Sequence, residues 1–77
     1  MEIRTLLFGK ISDLTGHQEL LIHDVENTAD IRNKMEEKYP DLKGMNYMIA
    51  VDKKLIYGDV NLQNDSEVAL LPPFSGG

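Results

Sequence analysis

Apolar residues fall into short runs along this chain, and five of these runs have the length and composition of β-strands. Residues at about 2–8 are apolar and β-prone and end at a glycine, and "QELLIHDV" at 18–25 follows a second glycine. The two runs predict strands joined as a hairpin with a long loop. The remaining runs predict a strand at 47–51, a shorter one within 52–58 after a turn, and a last strand at 67–71.

Apolar residues at a helical spacing lie between the second and third predicted strands. Ile31, Met35 and Tyr39 recur every four residues, which places their side chains on one face of a helix. Thr28 is a suitable N-cap for this helix. Pro40 ends it, because the residue before a proline is disfavoured in helical backbone.

A second, shorter helical turn is predicted in "KISDLTG", between the first two strands. Ser12 or Asp13 can cap this turn, and Gly16 stops it. The resulting order is strand, strand, helix, strand, short strand, strand. It predicts a two-layer α+β domain in which one main helix covers one face of a sheet. With 77 residues and no internal repeat or linker, we expect a single domain over 1–77.

Side-chain alternation predicts that the other face of the sheet carries apolar residues with no helix over them. Successive residues of a strand point to opposite faces, so Ile3, Thr5 and Leu7 share one side of the first strand. An apolar patch left open on a small domain is typical of a partner-binding surface. The alternative is a sheet curled enough to bury these side chains. The expected patch consists of Leu6, Phe8, Leu55, Ala69 and Leu71.

Composition and charge argue against several classes of function. The core of a chain this small can hardly also enclose a substrate cavity, and without cysteine there is no thiolate nucleophile or thiolate metal site. His17 and His23 are too isolated to predict a metal site. The net charge of −5 disfavours a nucleic-acid partner. No apolar stretch has the length of a membrane span or the pattern of a signal peptide, so we expect a cytoplasmic protein with no membrane partner.

The chain closes on "LLPPFSGG", which combines two prolines with two glycines. Pro72 and Pro73 favour an extended backbone and cannot donate to a β-ladder, so we expect residues 72–77 to form an extended flexible tail. Gly76 and Gly77 lack a Cβ and can pass through a channel too narrow for other residues. The carboxylate of Gly77 becomes reactive towards nucleophiles if a partner converts it with ATP to an acyl-adenylate. The ordinary alternative is a frayed terminus without function.

These features together resemble the small subunit of molybdopterin synthase, a ubiquitin-like sulfur carrier, over essentially the whole chain. The resemblance is carried by "LLFGKISDLTG", by "MIAVDKKLI" and, most specifically, by "DSEVALLPPFSGG". It implies a β-grasp fold, in which a mixed sheet packs on one main helix.

The resemblance also implies a function and a set of site residues. Gly77 would be adenylated and converted to a thiocarboxylate that donates sulfur for the molybdopterin dithiolene, and Gly76 would thread the tail into the partner. The implied partners are the large subunit of molybdopterin synthase, in a heterotetramer, a ubiquitin-activating-like adenylyltransferase that uses ATP, and a sulfur-donor protein. The chain would bind no cofactor itself, and its partners would supply the catalytic groups. The implied partner-binding residues are Phe8, Leu55, Leu71 and Phe74.

Three other functions fit the same residues. A carrier of this fold could deliver sulfur for thiamine thiazole or tRNA thiolation, although "KISDLTGHQ" and the double proline favour the molybdopterin branch. A ubiquitin-like modifier, conjugated to target lysines through Gly77, would share the activation chemistry. The third alternative is a structural adaptor whose C-terminal tail has no function.

Overall fold

The computed structural model describes residues 1–73, and its elements follow the predicted order. The predicted site residues Phe74, Gly76 and Gly77, and most of the predicted tail, lie outside the described residues. The elements are β1 (Ile3–Leu7), α1 (Gly9–Thr15), β2 (Glu19–Ile22), α2 (Thr28–Lys38), a 3-10 helix (Pro40–Gly44), β3 (Met48–Val51), β4 (Lys54–Ile56) and β5 (Glu67–Leu71).

The strands form one mixed sheet in the order β2-β1-β5-β3-β4. β1 pairs antiparallel with β2, as the predicted hairpin requires, and parallel with β5. β3 pairs antiparallel with both β4 and β5. Because β1 and β5 run in the same direction, both strands end at the same edge of the sheet. The residues that follow Leu7 therefore lie beside those that follow Leu71.

The core lies between one face of the sheet and α2, which confirms the predicted alternation. Thr5 is fully buried with its apolar neighbours on this face, and its hydroxyl donates to the backbone oxygen of Ile3 at 3.5 Å. Ile31 and Met35 supply the helical side of the core. The largest fully buried side chains are those of Ile3, Ile11, Ile31, Leu42, Leu70, Val25, Val68, Thr5 and Thr28.

The N-cap of α2 is Asn27, so the prediction of Thr28 was wrong by one residue. The Asn27 side chain accepts a hydrogen bond from the backbone N–H of Asp30 at 2.9 Å. Thr28 is instead fully buried, and its hydroxyl accepts from the backbone N–H of Val60 at 3.0 Å. The same hydroxyl donates a hydrogen bond to Oδ1 of Asp59 at 3.4 Å. Thr28 therefore anchors the loop after β4 to the start of the helix.

The N-cap of α1 is Phe8, and no side chain caps this helix, so the predicted caps Ser12 and Asp13 were wrong. Both residues lie inside the helix, because it begins earlier than predicted, directly after β1. Gly16 ends the helix as predicted, with φ of 77° and its N–H donating to the Ser12 oxygen at 2.8 Å. This φ belongs to the left-handed region that glycine adopts without a steric penalty.

Pro40 ends α2 as predicted, and a 3-10 helix follows directly. Proline suits the first turn of a helix, since the N–H that it lacks would have no partner there. Leu42 from this turn is fully buried and closes one end of the core. Within residues 1–73, no helix combines the length and the apolar character needed to cross a membrane.

Candidate functional site

An apolar row crosses the face of the sheet that α2 does not cover. Strand register places Leu6 beside Ala69, Ala69 beside Ala50, and Ala50 beside Leu55. Leu55 is 38% exposed, and Leu6 and Ala69 are half-buried. Ala50 lies in the middle of the row and is buried, because its small side chain is covered by the side chains around it. The row therefore spans four of the five strands without a charged side chain.

A second apolar group lies next to this row, at the edge of the sheet where β1 and β5 end. Phe8 is 44% exposed, and its extended backbone continues the alternation of β1 on the side of Leu6. Its N–H donates to the Leu70 oxygen at 3.3 Å, which extends the β1–β5 pairing. Leu71 is half-buried, and the register places it opposite Met48.

We call these two groups the open face, which consists of Leu6, Phe8, Met48, Ala50, Leu55, Ala69 and Leu71. The sequence-based prediction that Phe8 and Leu55 are exposed is confirmed, and the sheet is not curled enough to bury them. Leu6, Ala69 and Leu71 lie on the same face but are partly covered. Met48 and Ala50 were not predicted. Alternation within β3 puts them on the face of the sheet away from the buried Ile49, so it could have identified them.

A charged pair borders the open face on the side of β2. Nε of Arg4 donates to Oε1 of Glu19 at 2.8 Å, and both side chains are about half exposed. The hydrogen bond and charge of Glu19 raise the pKa of Arg4, and the charge of Glu67 adds to this. An exposed pair of this kind contributes little to stability. It gives the open face the polar rim that interfaces commonly have around an apolar centre.

The tail begins at the same edge of the sheet, beside Phe8. β5 ends at Leu71, so Pro72 and Pro73 follow the strand without belonging to it, as predicted. The ring of Pro72 packs against Gly9, the first residue of α1. Residues 74–77 therefore follow from a point next to the open face. Phe74, predicted to bind the partner, Gly76, predicted to thread the tail, and Gly77, predicted to carry the thiocarboxylate, all lie outside the described residues.

The residues considered for other chemistry lie apart from this site. Nδ1 of His23 is 2.8 Å from Oε2 of Glu2 on the exposed surface. In the part of the chain that the structure describes, no three or more His, Cys, Asp or Glu side chains are grouped to hold a metal ion.

Comparison with known proteins identifies relatives along the whole chain. Residues 5–77 match the ThiS family. A protein named molybdopterin synthase sulfur carrier subunit from Caenorhabditis elegans is 36% identical over 83 aligned positions, which cover 100% of this chain and 99% of the relative. A protein of the same name from Dictyostelium discoideum is 25% identical, with 99% of this chain and 96% of the relative covered.

Two solved structures illustrate the shared fold. Small archaeal modifier protein 1 from Methanosarcina acetivorans superimposes with a TM-score of 0.82 at 25% identity, covering 99% of this chain and 96% of that chain. A putative molybdopterin converting factor subunit 1 from Pyrococcus furiosus gives 0.84 at 19% identity, covering 95% and 98%. The mixed sheet packed on one main helix is thus the β-grasp fold that the sequence predicted.

Proposed function

The chain belongs to the ThiS family, and we propose that it is a sulfur carrier whose Gly77 carboxylate becomes the thiocarboxylate that supplies sulfur to molybdopterin. The observation that carries this proposal is the sequence Gly76-Gly77, which follows an apolar face that residues 1–73 leave open. The names of the relatives from Caenorhabditis elegans and Dictyostelium discoideum support the molybdopterin branch over thiazole or tRNA thiolation.

The first step of the proposed chemistry activates the terminal carboxylate. An oxygen of the Gly77 carboxylate attacks the α-phosphorus of ATP in the adenylyltransferase, and pyrophosphate leaves. A sulfur nucleophile from the donor protein then attacks the acyl carbon, and AMP leaves with the electrons of the broken C–O bond. In this proposal the nucleophile is the outer sulfur of a persulfide on the donor, so the first product is an acyl disulfide. A thiol of the donor then attacks the inner sulfur and the S–S bond breaks. The outer sulfur keeps the electrons of that bond as the thiocarboxylate of Gly77, and the donor is left with a disulfide.

The second step transfers this sulfur to the pterin precursor inside the large subunit. The thiocarboxylate sulfur displaces an oxygen substituent from a carbon of the precursor, and that oxygen leaves with the electrons of the broken C–O bond. Water then attacks the acyl carbon of Gly77, the acyl C–S bond breaks, the sulfur stays on the pterin, and the carboxylate of Gly77 is restored. The four residues after Pro73 can reach roughly 12 Å when extended. Glycine at both terminal positions suits a narrow passage, since neither residue carries a Cβ. In this proposal the partners supply the catalytic groups, and this chain supplies the acyl group and its placement.

The open face serves as the docking surface for these partners. Phe8 and Leu55 are exposed there as large apolar side chains, and water leaves them when a partner covers them. Because the tail begins at the edge of this face, docking also places the tail base against the partner. The proposed assembly with the large subunit is a heteromer in the cytoplasm.

The test is a reconstituted reaction with adenylyltransferase, ATP, a sulfur donor and the large subunit. We expect the wild-type chain to gain a thiocarboxylate, detected by intact mass, and to yield the pterin product, detected by fluorescence. Deleting Gly77 should abolish both, because a missing residue moves the carboxyl by about 3.3 Å, and misplacement by 1 Å can already cost about a hundredfold in rate. Wild-type activity of the deletion variant would refute the role of Gly77.

A ubiquitin-like modifier is a second candidate, favoured by one observation. The small archaeal modifier protein 1 of Methanosarcina acetivorans covers 99% of this chain at 25% identity. Conjugation would use the same Gly77 adenylate, with the amine of a target lysine attacking in place of sulfur. Tryptic digestion of conjugates would then leave a branch from this chain on lysine, whereas a dedicated carrier would leave none.

A further inference from the structure

Where the chain leaves β5, the ring of Pro72 packs against a glycine, Gly9. A Cβ built on Gly9 would lie 2.9 Å from Cγ of Pro72 and 3.6 Å from its Cδ. Gly9 also has φ of 55°, in the left-handed region that side chains with a Cβ rarely adopt. Only a hydrogen atom therefore fits between the start of α1 and the Pro72 ring.

A second glycine of the same helix provides a natural comparison. Gly16 ends α1 with φ of 77°, but a Cβ built there would meet nothing within 4 Å. An alanine at either position would strain the backbone to a similar degree. At Gly9 it would also collide with the proline ring, which cannot rotate away as the end of a long side chain can.

The hydrogen bonds that hold β5 stop just before this contact. Leu70 is the last residue of β5 that pairs with β1, and Leu71 is the last that pairs with β3. The Phe8 N–H bonds the Leu70 oxygen at 3.3 Å, and Pro72 has no N–H with which to continue a ladder. Beyond Leu71, the Pro72 ring lies against Gly9, and this close contact limits where the ring can sit.

We propose that Gly9 is a positioning residue for the sulfur-carrier reaction, because it sets the point from which the tail leaves the sheet. This inference rests on the proposed function. Relieving the contact to about 3.5 Å would shift the ring by about 0.6 Å. Since misplacement by 1 Å can cost about a hundredfold in rate, we expect roughly a tenfold loss when Gly9 gains a Cβ. The residue acts through Pro72 and touches no substrate.

The test compares Gly9→Ala with Gly16→Ala in adenylation of the carrier by the adenylyltransferase and ATP, measured as pyrophosphate release. Both variants should melt below the wild type because of backbone strain, for which Gly16→Ala is the control. Gly9→Ala should melt lower still because its Cβ collides with Pro72, so kcat is measured well below both melting temperatures. Gly9→Ala should lower kcat roughly tenfold below that of Gly16→Ala, with KM for the carrier unchanged because the open face is intact. If the wild-type chain gives no pyrophosphate, the proposed function fails. If it reacts but the two variants have equal kcat, the inference about Gly9 is wrong.

A double-mutant cycle with Pro72→Ala isolates the contact itself. Removing Cγ and Cδ of Pro72 leaves space for the new Cβ, so Gly9→Ala should then lower kcat no more than Gly16→Ala does. If Gly9→Ala alone does not fold, the double variant should recover a cooperative melting transition. The proposal would be overturned if kcat of the double variant stayed well below that of Gly16→Ala, or if the double variant failed to regain a cooperative transition where Gly9→Ala alone has none.

Discussion

Replacing Phe8 by alanine should weaken binding to the large subunit by roughly thirtyfold. Phe8 is 44% exposed, and a phenylalanine side chain offers roughly 200 Å² of surface, so roughly 90 Å² is left for a partner to cover. At about 25 cal/mol per Å² this area contributes about 2 kcal/mol, which corresponds to the stated change in Kd.

The buried remainder of the Phe8 side chain packs on the chain itself, so its loss should also lower the melting temperature. Tyr39→Ala is the matched control. Tyr39 is a partly buried aromatic residue at the end of α2, away from the open face. The Tyr39→Ala variant should melt at a lower temperature but bind the large subunit with the wild-type Kd. Both variants are titrated against the large subunit by calorimetry, well below their melting temperatures. Binding of Phe8→Ala with the wild-type Kd would refute the docking role of the open face.

Three further changes test the fold that presents this site. Asn27→Ala removes the cap on the Asp30 N–H and should cost about 1 kcal/mol, or about 4–8 °C in melting temperature; an unchanged melting curve would contradict the assigned cap. Ile31→Ala empties a fully buried position and should cost about 2–5 kcal/mol in urea unfolding, whereas a loss below 1 kcal/mol would mean that the core collapses around it. Burial and the 2.6 Å bond to Glu36 raise the pKa of Tyr47, so its neutral phenol stabilises the fold in full below about pH 10 and progressively less above it. The advantage of wild type over Tyr47→Phe, about 1 kcal/mol, should therefore shrink in unfolding titrations above pH 10, and a constant difference would exclude this linkage.

Local pattern was sufficient to predict the order of the strands and α-helices and five of the seven residues of the open face. Alternation is a property of each strand by itself, so the exposure of Phe8 and the burial of Leu7 follow from the sequence once a strand is assigned. The prolines after Leu71 act locally as well, because each fixes its own φ and lacks an N–H.

Features that depend on distant residues could not be predicted in this way. Asn27 and Thr28 are both good N-caps, and the choice between them is made by Val60, which bonds the Thr28 hydroxyl from 32 positions away. The contact of Gly9 with Pro72 likewise needs the parallel pairing of the first and last strands. A glycine at the start of a helix gives no sign of this contact.

The most direct test of the account is the intact mass of this chain purified from its native cell. We predict a species in which sulfur replaces one oxygen of the terminal carboxylate, with fragment ions that place the change on Gly77. It should revert to the unmodified mass when the large subunit and the pterin precursor are added. A population with only the unmodified mass, in a cell actively making the cofactor, or with Gly77 joined to lysines alone, would contradict the assignment as a sulfur carrier.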